Sequence, residues 1–290
     1  MTFLTTITRY LTLLSGEKVF WREAGSVHSP TVLLLHGFPS SSHQFRNLIP
    51  ILAPKYRVIA PDLPAFGFTE VPADYNYTFD NLANTIDQFL DKIPNPPKRY
   101  SIYIFDFGAP TGLRIATKHP ERIQAIISQN GNAYVEGLGA FWEPVEAIWA
   151  NNTKENQDKI RPFFEIDGTK SQYVNGTKDP EAIAPESYTL DQARLDRPGN
   201  KDIQLELLYD YRTNIPLYPK WQEYFRKSQV PLLAAWGKND AIFIPPGAEA
   251  FKKDLPKAEV HLLDAGHFAV ETNTVEIGQL ILDFLKKHGI

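Results

Sequence analysis

Asp106, Asp240 and His267 carry the chemistry this sequence offers, and each stands just past a short apolar run. Asp106 lies in Ile104-Phe105-Asp106-Phe107-Gly108-Ala109-Pro110-Thr111-Gly112, where a strand has to reverse sharply into a helix. Such a turn lifts a side chain above the sheet edge; the glycine two residues on lets the backbone fold closely, and the helix N-terminus adds positive potential. An aspartate in that seat reads as a nucleophile, the alternative being a cap for the helix behind it. Asp240 ends Ala235-Trp236-Gly237-Lys238-Asn239-Asp240, and His267 follows Asp264-Ala265-Gly266. Both fall at strand C-termini, where open α/β sheets place their sites. A carboxylate that orients a histidine, and a histidine that takes a proton from water, would complete the set. In the seat of Asp106 an aspartate, unlike a serine, is a standing anion. A fourth element, His36-Gly37-Phe38-Pro39, follows the first buried strand and can bring the Phe38 amide toward that of Phe107 as an oxyanion hole.

These positions need a particular frame. Through the first 130 or so residues, short β-branched runs alternate with amphipathic stretches, the pattern of βα units feeding a parallel sheet covered on both faces. The expected strands are Tyr10–Leu14 and Lys18–Glu23, paired as a hairpin around Ser15-Gly16, then Thr31–Leu35, Arg57–Pro61, Tyr100–Phe105, Ile123–Ser128, Val230–Trp236 and Glu259–Leu263. Helices are expected from Ser42 to Leu52, Phe79 to Ile93 (its start marked by Thr78 and Asp80), Ala109 to Lys118, Gly247 to Leu255 and Thr274 to Lys287. From Ala133 to Ser228 aromatic residues, proline and amides become dense and no valine- or isoleucine-rich strand stands out. The reading is an α/β fold with a mostly parallel eight-stranded sheet: residues 1–132 and 229–290 form the core, and 133–228 an inserted helical cap.

Composition narrows the function classes. With 34 acidic against 30 basic residues, a net charge of −4 and no basic run, nucleic acid is an unfavourable partner. Without cysteine there is no disulfide framework, thiolate nucleophile or cysteine zinc site. No metal cluster or phosphate-cradling loop stands out, so no cofactor is expected; Gly108 and Gly112 read as packing for the helix behind the turn. The first residues lack the pattern of a secretory signal and no stretch reads as a membrane span, so the chain is read as cytoplasmic.

HGFP, the AFGFTE stretch after Asp62, DFGAPTG, WGKNDAIF and DAGHF resemble the epoxide hydrolase and haloalkane dehalogenase branch of the α/β hydrolases, over roughly residues 17–132 and 230–288. The chain order nucleophile, acid, histidine is also that of an α/β-hydrolase triad. The resemblance implies Asp106 as nucleophile, Asp240 as orienting acid, His267 as base, and Phe38 and Phe107 as oxyanion donors. It implies an alkyl-enzyme ester, formed by opening an epoxide or displacing halide and then hydrolysed.

The sequence departs from that branch in places. Ile104 stands where such turns usually have a small residue, and Phe105 where these families often have histidine. Phe38 and Phe107 occupy positions that in many haloalkane dehalogenases hold halide through asparagine and tryptophan side chains, and neither has a side-chain donor. Trp142 or Trp149 is an alternative N–H source, though tryptophan there more often lines a pocket. Tyr211-Arg212 resembles the late-cap tyrosine–arginine pair of epoxide hydrolases and points to Tyr211 as the proton donor; an earlier ring-opening tyrosine has no evident counterpart between Tyr134 and Tyr173. Phe141, Trp142, Trp149 and Phe268, with Phe38 and Phe107, suggest aromatic walls and a small apolar substrate, with water as co-substrate. Epoxide hydrolysis leads, alkyl halide hydrolysis follows, and a binding protein that keeps the pocket without turnover is the alternative from another class.

Overall fold

In the computed structural model, which describes residues 5–290, eight strands form one sheet. They are β1 (Ile7–Thr12), β2 (Lys18–Ala24), β3 (Thr31–Leu35), β4 (Arg57–Pro61), β5 (Tyr100–Ile104), β6 (Ile123–Ser128), β7 (Leu232–Gly237) and β8 (Glu259–Leu263). Their order is β1-β2-β4-β3-β5-β6-β7-β8. The β1/β2 and β2/β4 pairs are antiparallel, and every pair from β4 through β8 is parallel. The chain leaves β3 toward β4 on one side and returns to pair β5 on the other, so strand order reverses at β3. The crevice outside the carboxyl ends of β3 and β5 is therefore the switch point where such sheets hold ligands.

Residue alternation makes the sheet a partition. Leu33, Leu35, Ile102 and Ile104 face one core, while Val32, Leu34, Tyr103 and Phe105 face another. Both faces are buried, as a parallel sheet requires. Helices α1 (Ile49–Leu52), α2 (Phe79–Lys92) and α3 (Gly108–Lys118) belong to the first half of the chain. Thr78 caps α2 by accepting from the Asn81 amide at 3.2 Å. The expected continuous helix from Ser42 to Leu52 is instead a 3-10 turn, Ser42–Phe45, followed by the short α1. Pro50 accounts for the break: it lacks an N–H and fits only the first turn of a new helix.

Between β6 and β7 the chain forms α4 (Glu143–Ala150), α5 (Lys154–Ile160), α6 (Ile166–Val174), α7 (Pro185–Leu195), α8 (Asn200–Asp210) and α9 (Tyr218–Ser228), joined by 3-10 turns and without a strand. Helices α10 (Pro246–Ala250), α11 (Ala269–Thr272) and α12 (Thr274–Lys287) complete the core. β1 lies two to three residues earlier than expected while β2 starts at Lys18 as expected, and β7 begins at Leu232 because Pro231 has no N–H for the ladder. The expected helix from Gly247 to Leu255 ends as α10 plus a 3-10 turn, Phe251–Lys253. Among the described residues no helix is long and apolar enough to cross a membrane.

Candidate active site

Asp106 follows β5 in a left-handed conformation, φ 46°, which a non-glycine residue holds only when its surroundings insist. The Gly108 amide closes onto the Phe105 carbonyl at 2.7 Å and the Ala109 amide onto the Asp106 carbonyl at 2.9 Å, so strand turns into α3 within three residues. A Cβ on Gly108 would meet the Leu35 carbonyl oxygen at 2.3 Å; only glycine lets α3 start this close to β3. The bulk of Ile104 is absorbed by Gly112, whose missing Cβ would lie 2.7 Å from Ile104 Cγ2. The turn keeps its shape despite the large residue because the space is taken one helical turn later.

The ends of β7 and β8 bring two partners to this carboxylate. His267 Nδ1 lies 2.7 Å from Asp240 Oδ2, and His267 Nε2 lies 3.9 Å from Asp106 Oδ2 without a hydrogen-bond partner among the described residues. All three side chains are buried: Asp106 is 5 %, Asp240 3 % and His267 3 % exposed. The Phe38 amide donates to Asp106 Oδ1 at 2.6 Å. That amide follows β3, so the switch-point crevice holds both the carboxylate and a donor aimed at it.

Burial makes the Asp106 charge costly and pushes its pKa up to about 6, against the pull of His267 and of the Phe38 and Phe107 amides. Burial opposes charge on His267 too, but Asp240 and then Asp106 outweigh it, and the imidazole is held above its ordinary range.

Asn130, which the sequence reading did not single out, holds the acid. Its Nδ2 donates to Asp240 Oδ2 at 2.7 Å and its Oδ1 accepts from the Gly237 amide at 2.9 Å. The Ile242 amide fixes the other Asp240 oxygen at 2.7 Å. Next to Asn130, Gln129 donates to the His267 carbonyl at 2.9 Å and accepts from the Tyr103 hydroxyl at 3.1 Å. The available signal was Gln129-Asn130-Gly131 at the end of a buried strand: Asn130 sits at φ 50°, a conformation asparagine tolerates well.

Aromatic rings surround the acid and base. Phe38 stacks on Phe163 (centroids 5.7 Å apart) and tilts against Phe107 (6.1 Å). Phe107 meets Phe79 edge-on at 5.0 Å, and Phe243 lies 6.1 Å from the His267 ring. Tyr211, from the insertion, packs against Trp142 at 4.4 Å, Phe79 at 5.5 Å, Phe107 at 6.0 Å and Trp149 at 6.1 Å. Phe141 joins this group through Phe163 at 4.7 Å. Phe79, Phe163 and Phe243 were not singled out: Phe79 starts α2, Phe163 stands beside Phe164 in a 3-10 turn and Phe243 closes the WGKNDAIF stretch, and none of these settings shows in sequence which rings meet.

Two sequence expectations change. The Trp142 indole donates to the Ile242 carbonyl at 3.0 Å and the Trp149 indole to the Leu208 carbonyl at 2.8 Å, so neither N–H is free for a halide. Phe268 is not part of the aromatic group over Asp106. It lies in the opposite core, stacked on Tyr173 at 3.9 Å, because it and His267 alternate across the chain as they leave β8. Among the described residues no three His, Asp or Glu side chains gather as metal ligands.

The family model for the alpha/beta hydrolase fold matches residues 30–274. The chain belongs to that family. It is 46 % identical over 277 residues to "Uncharacterized hydrolase YNR064C" of Saccharomyces cerevisiae, covering 94 % of this chain and 95 % of the relative. It is 33 % identical over 303 residues to a haloalkane dehalogenase of Bradyrhizobium diazoefficiens, covering 93 % and 91 %. In shape it resembles the crystal structure of Cfl2 from Burkholderia cenocepacia, with a TM-score of 0.80 at 20 % identity over 96 % of this chain and 95 % of the other.

Proposed function

We propose that the protein is a hydrolase that opens small, neutral, apolar epoxides through a covalent ester on Asp106. One observation carries the choice of epoxide. The two indoles packed on Tyr211 are spent on backbone carbonyls, whereas among the described residues the Tyr211 phenol reaches no polar group but the Tyr218 hydroxyl. Opening an epoxide leaves an alkoxide that needs a proton, which a phenol supplies; a departing halide needs no proton but gains from N–H donors.

In this reading an Asp106 oxygen attacks a ring carbon, the carbon–oxygen bond breaks, and its electron pair takes the Tyr211 proton. The insertion acts as the cap that closes the site over this step. Ester formation removes the Asp106 charge, one of the influences that raise the His267 pKa. The neutral imidazole then takes a proton from water, with Asp240 stabilising the cation that forms. Water attacks the ester carbonyl, whose developing oxyanion is received by the Phe38 and Phe107 amides. Cleavage frees the diol and restores Asp106 with one oxygen from water.

The bradyrhizobial relative's name favours a second reading, alkyl halide hydrolysis through the same ester. Parallel assays of the wild-type protein separate the two. Diol formation from styrene oxide is expected to exceed bromide release from 1,2-dibromoethane by about 100-fold in kcat/KM, the scale of a lost general acid; the opposite ratio would overturn the epoxide reading.

A further inference from the structure

Behind Tyr211 lies a second phenol on α9. The Tyr211 and Tyr218 hydroxyl oxygens are 3.4 Å apart, both residues are buried (1 % and 2 % exposed), and among the described residues Tyr211 has no other polar partner. Tyr218 has one more: Asn132 Nδ2 donates to its oxygen at 3.3 Å. The direction of that donation is set by the backbone. The same carboxamide accepts from the Tyr134 amide at 3.3 Å and donates to the Tyr134 carbonyl at 2.8 Å, which fixes which end is nitrogen.

A direction follows along the chain of groups. Tyr218 already accepts a hydrogen bond from Asn132, so among the described residues its own O–H has one acceptor in reach, the Tyr211 oxygen. In the empty site either direction leaves one buried O–H unpaired; once an epoxide oxygen accepts from Tyr211, only Tyr218 donating to Tyr211 pairs both hydroxyls. With Tyr218 donating, the Tyr211 proton is left for a molecule bound beside Phe107, the residue after Asp106, whose ring lies 6.0 Å from that of Tyr211.

We propose that Tyr218, oriented by Asn132, is a positioning residue that points the Tyr211 proton at the ring oxygen and then stabilises the Tyr211 phenolate. This rests on the epoxide reading above. The step balances: the Asp106–carbon bond forms, the ring carbon–oxygen bond breaks, the ring oxygen takes the Tyr211 proton, and the phenolate keeps a hydrogen bond from Tyr218. The phenolate regains a proton when His267, protonated by water in the second step, returns to neutral.

The test times ester formation by intact mass in a His267→Gln background with styrene oxide, with and without Tyr218→Phe and Tyr211→Phe. Tyr218→Phe is expected to slow the adduct about 10- to 100-fold, the range for a hydrogen bond to a charged group. In the Tyr211→Phe background it should have no further effect. An equal slowing in both backgrounds, or none in either, would overturn the relay while the ester reading stands; no adduct in the His267→Gln protein itself would overturn both. If Tyr211→Phe reacts too slowly to time, binding of phenylacetamide to the Asp106→Asn protein decides. Tyr218→Phe should weaken it about 10-fold when Tyr211 is present and not when it is absent. An effect independent of Tyr211 would again overturn the relay.

Discussion

At the strand ends the backbone dictates where Asp106, Asp240 and His267 sit, whereas in the insertion side-chain packing dictates where Tyr211 sits. Asp106 is fixed by a positive φ and two turn hydrogen bonds, and Asp240 by the Ile242 amide and an asparagine that itself has positive φ. Tyr211 is fixed by rings drawn from α2, the elbow, α4 and the loop after β7. On the proposed mechanism the two ends are sensitive to different changes: the Asp106 end should fail when a backbone turn fails, and the Tyr211 end when a hydroxyl is lost or redirected.

The largest expected effect is at the nucleophile. Asp106→Asn should lower turnover of styrene oxide by about 10⁴-fold or more, because no ester can form. The same change should stabilise the fold. Asp106 has its folded pKa raised from 3.8 to about 6, so the native state binds more protons than the unfolded state between those values. Stability from this group therefore falls as pH rises through that window, and above it the buried charge costs about 1–3 kcal/mol. Urea unfolding at pH 7.5 should show Asp106→Asn more stable by that order.

Tyr211→Phe tests the other half. Ester formation in the His267→Gln background should slow by about 10²–10⁴-fold, the range for a positioned general acid, while the melting temperature changes little. A rate within threefold of the parent would show that the ring oxygen gets its proton elsewhere.

Two glycines compare the regions in stability alone. Gly108→Ala, with the Leu35 carbonyl oxygen 2.3 Å from the new Cβ, should cost about 3 kcal/mol or more. Gly199→Ala, at φ +78° with nothing within 4 Å, should cost only the left-handed conformation, about 1–2 kcal/mol. Denaturant melts of both variants check the contrast, and equal losses would contradict a turn built on close approach.

The smallest effect is in the pH profile. Single-turnover ester formation should rise tenfold per unit below about pH 6, as Asp106 ionises, and level off above it. Stopped-flow measurements between pH 5 and 8 would read it; a rate that falls with rising pH there would contradict an anionic nucleophile.

The same division governs how much was legible in the sequence. Thr31–Leu35, Arg57–Pro61, Ile123–Ser128 and Glu259–Leu263 are strands with the expected bounds because continuous apolar runs between turn residues have few other uses. His267 follows the last of these, and Asp106 and Asp240 follow β5 and β7, whose observed bounds lie within two residues of the expected ones. Asn130 was not found because its role depends on Gly237 and Asp240, more than a hundred residues away. Likewise Trp142 and Trp149 could be placed near the site by composition, but that their indoles are spent depends on Ile242 and Leu208. Phe268 shows the limit of adjacency. It follows His267 in sequence and lies on the other side of the sheet. The insertion lacks strand runs, so its residues are ordered by packing that no short window of sequence records.

Intact-protein mass spectrometry of the His267→Gln variant tests the ester on Asp106 most directly. After incubation with styrene oxide, the protein is expected to gain the mass of one intact epoxide, mapped by peptide digestion to Asp106, because the ester forms but water is no longer activated against it. An unmodified His267→Gln protein, alongside a wild type that turns styrene oxide over, would contradict the account.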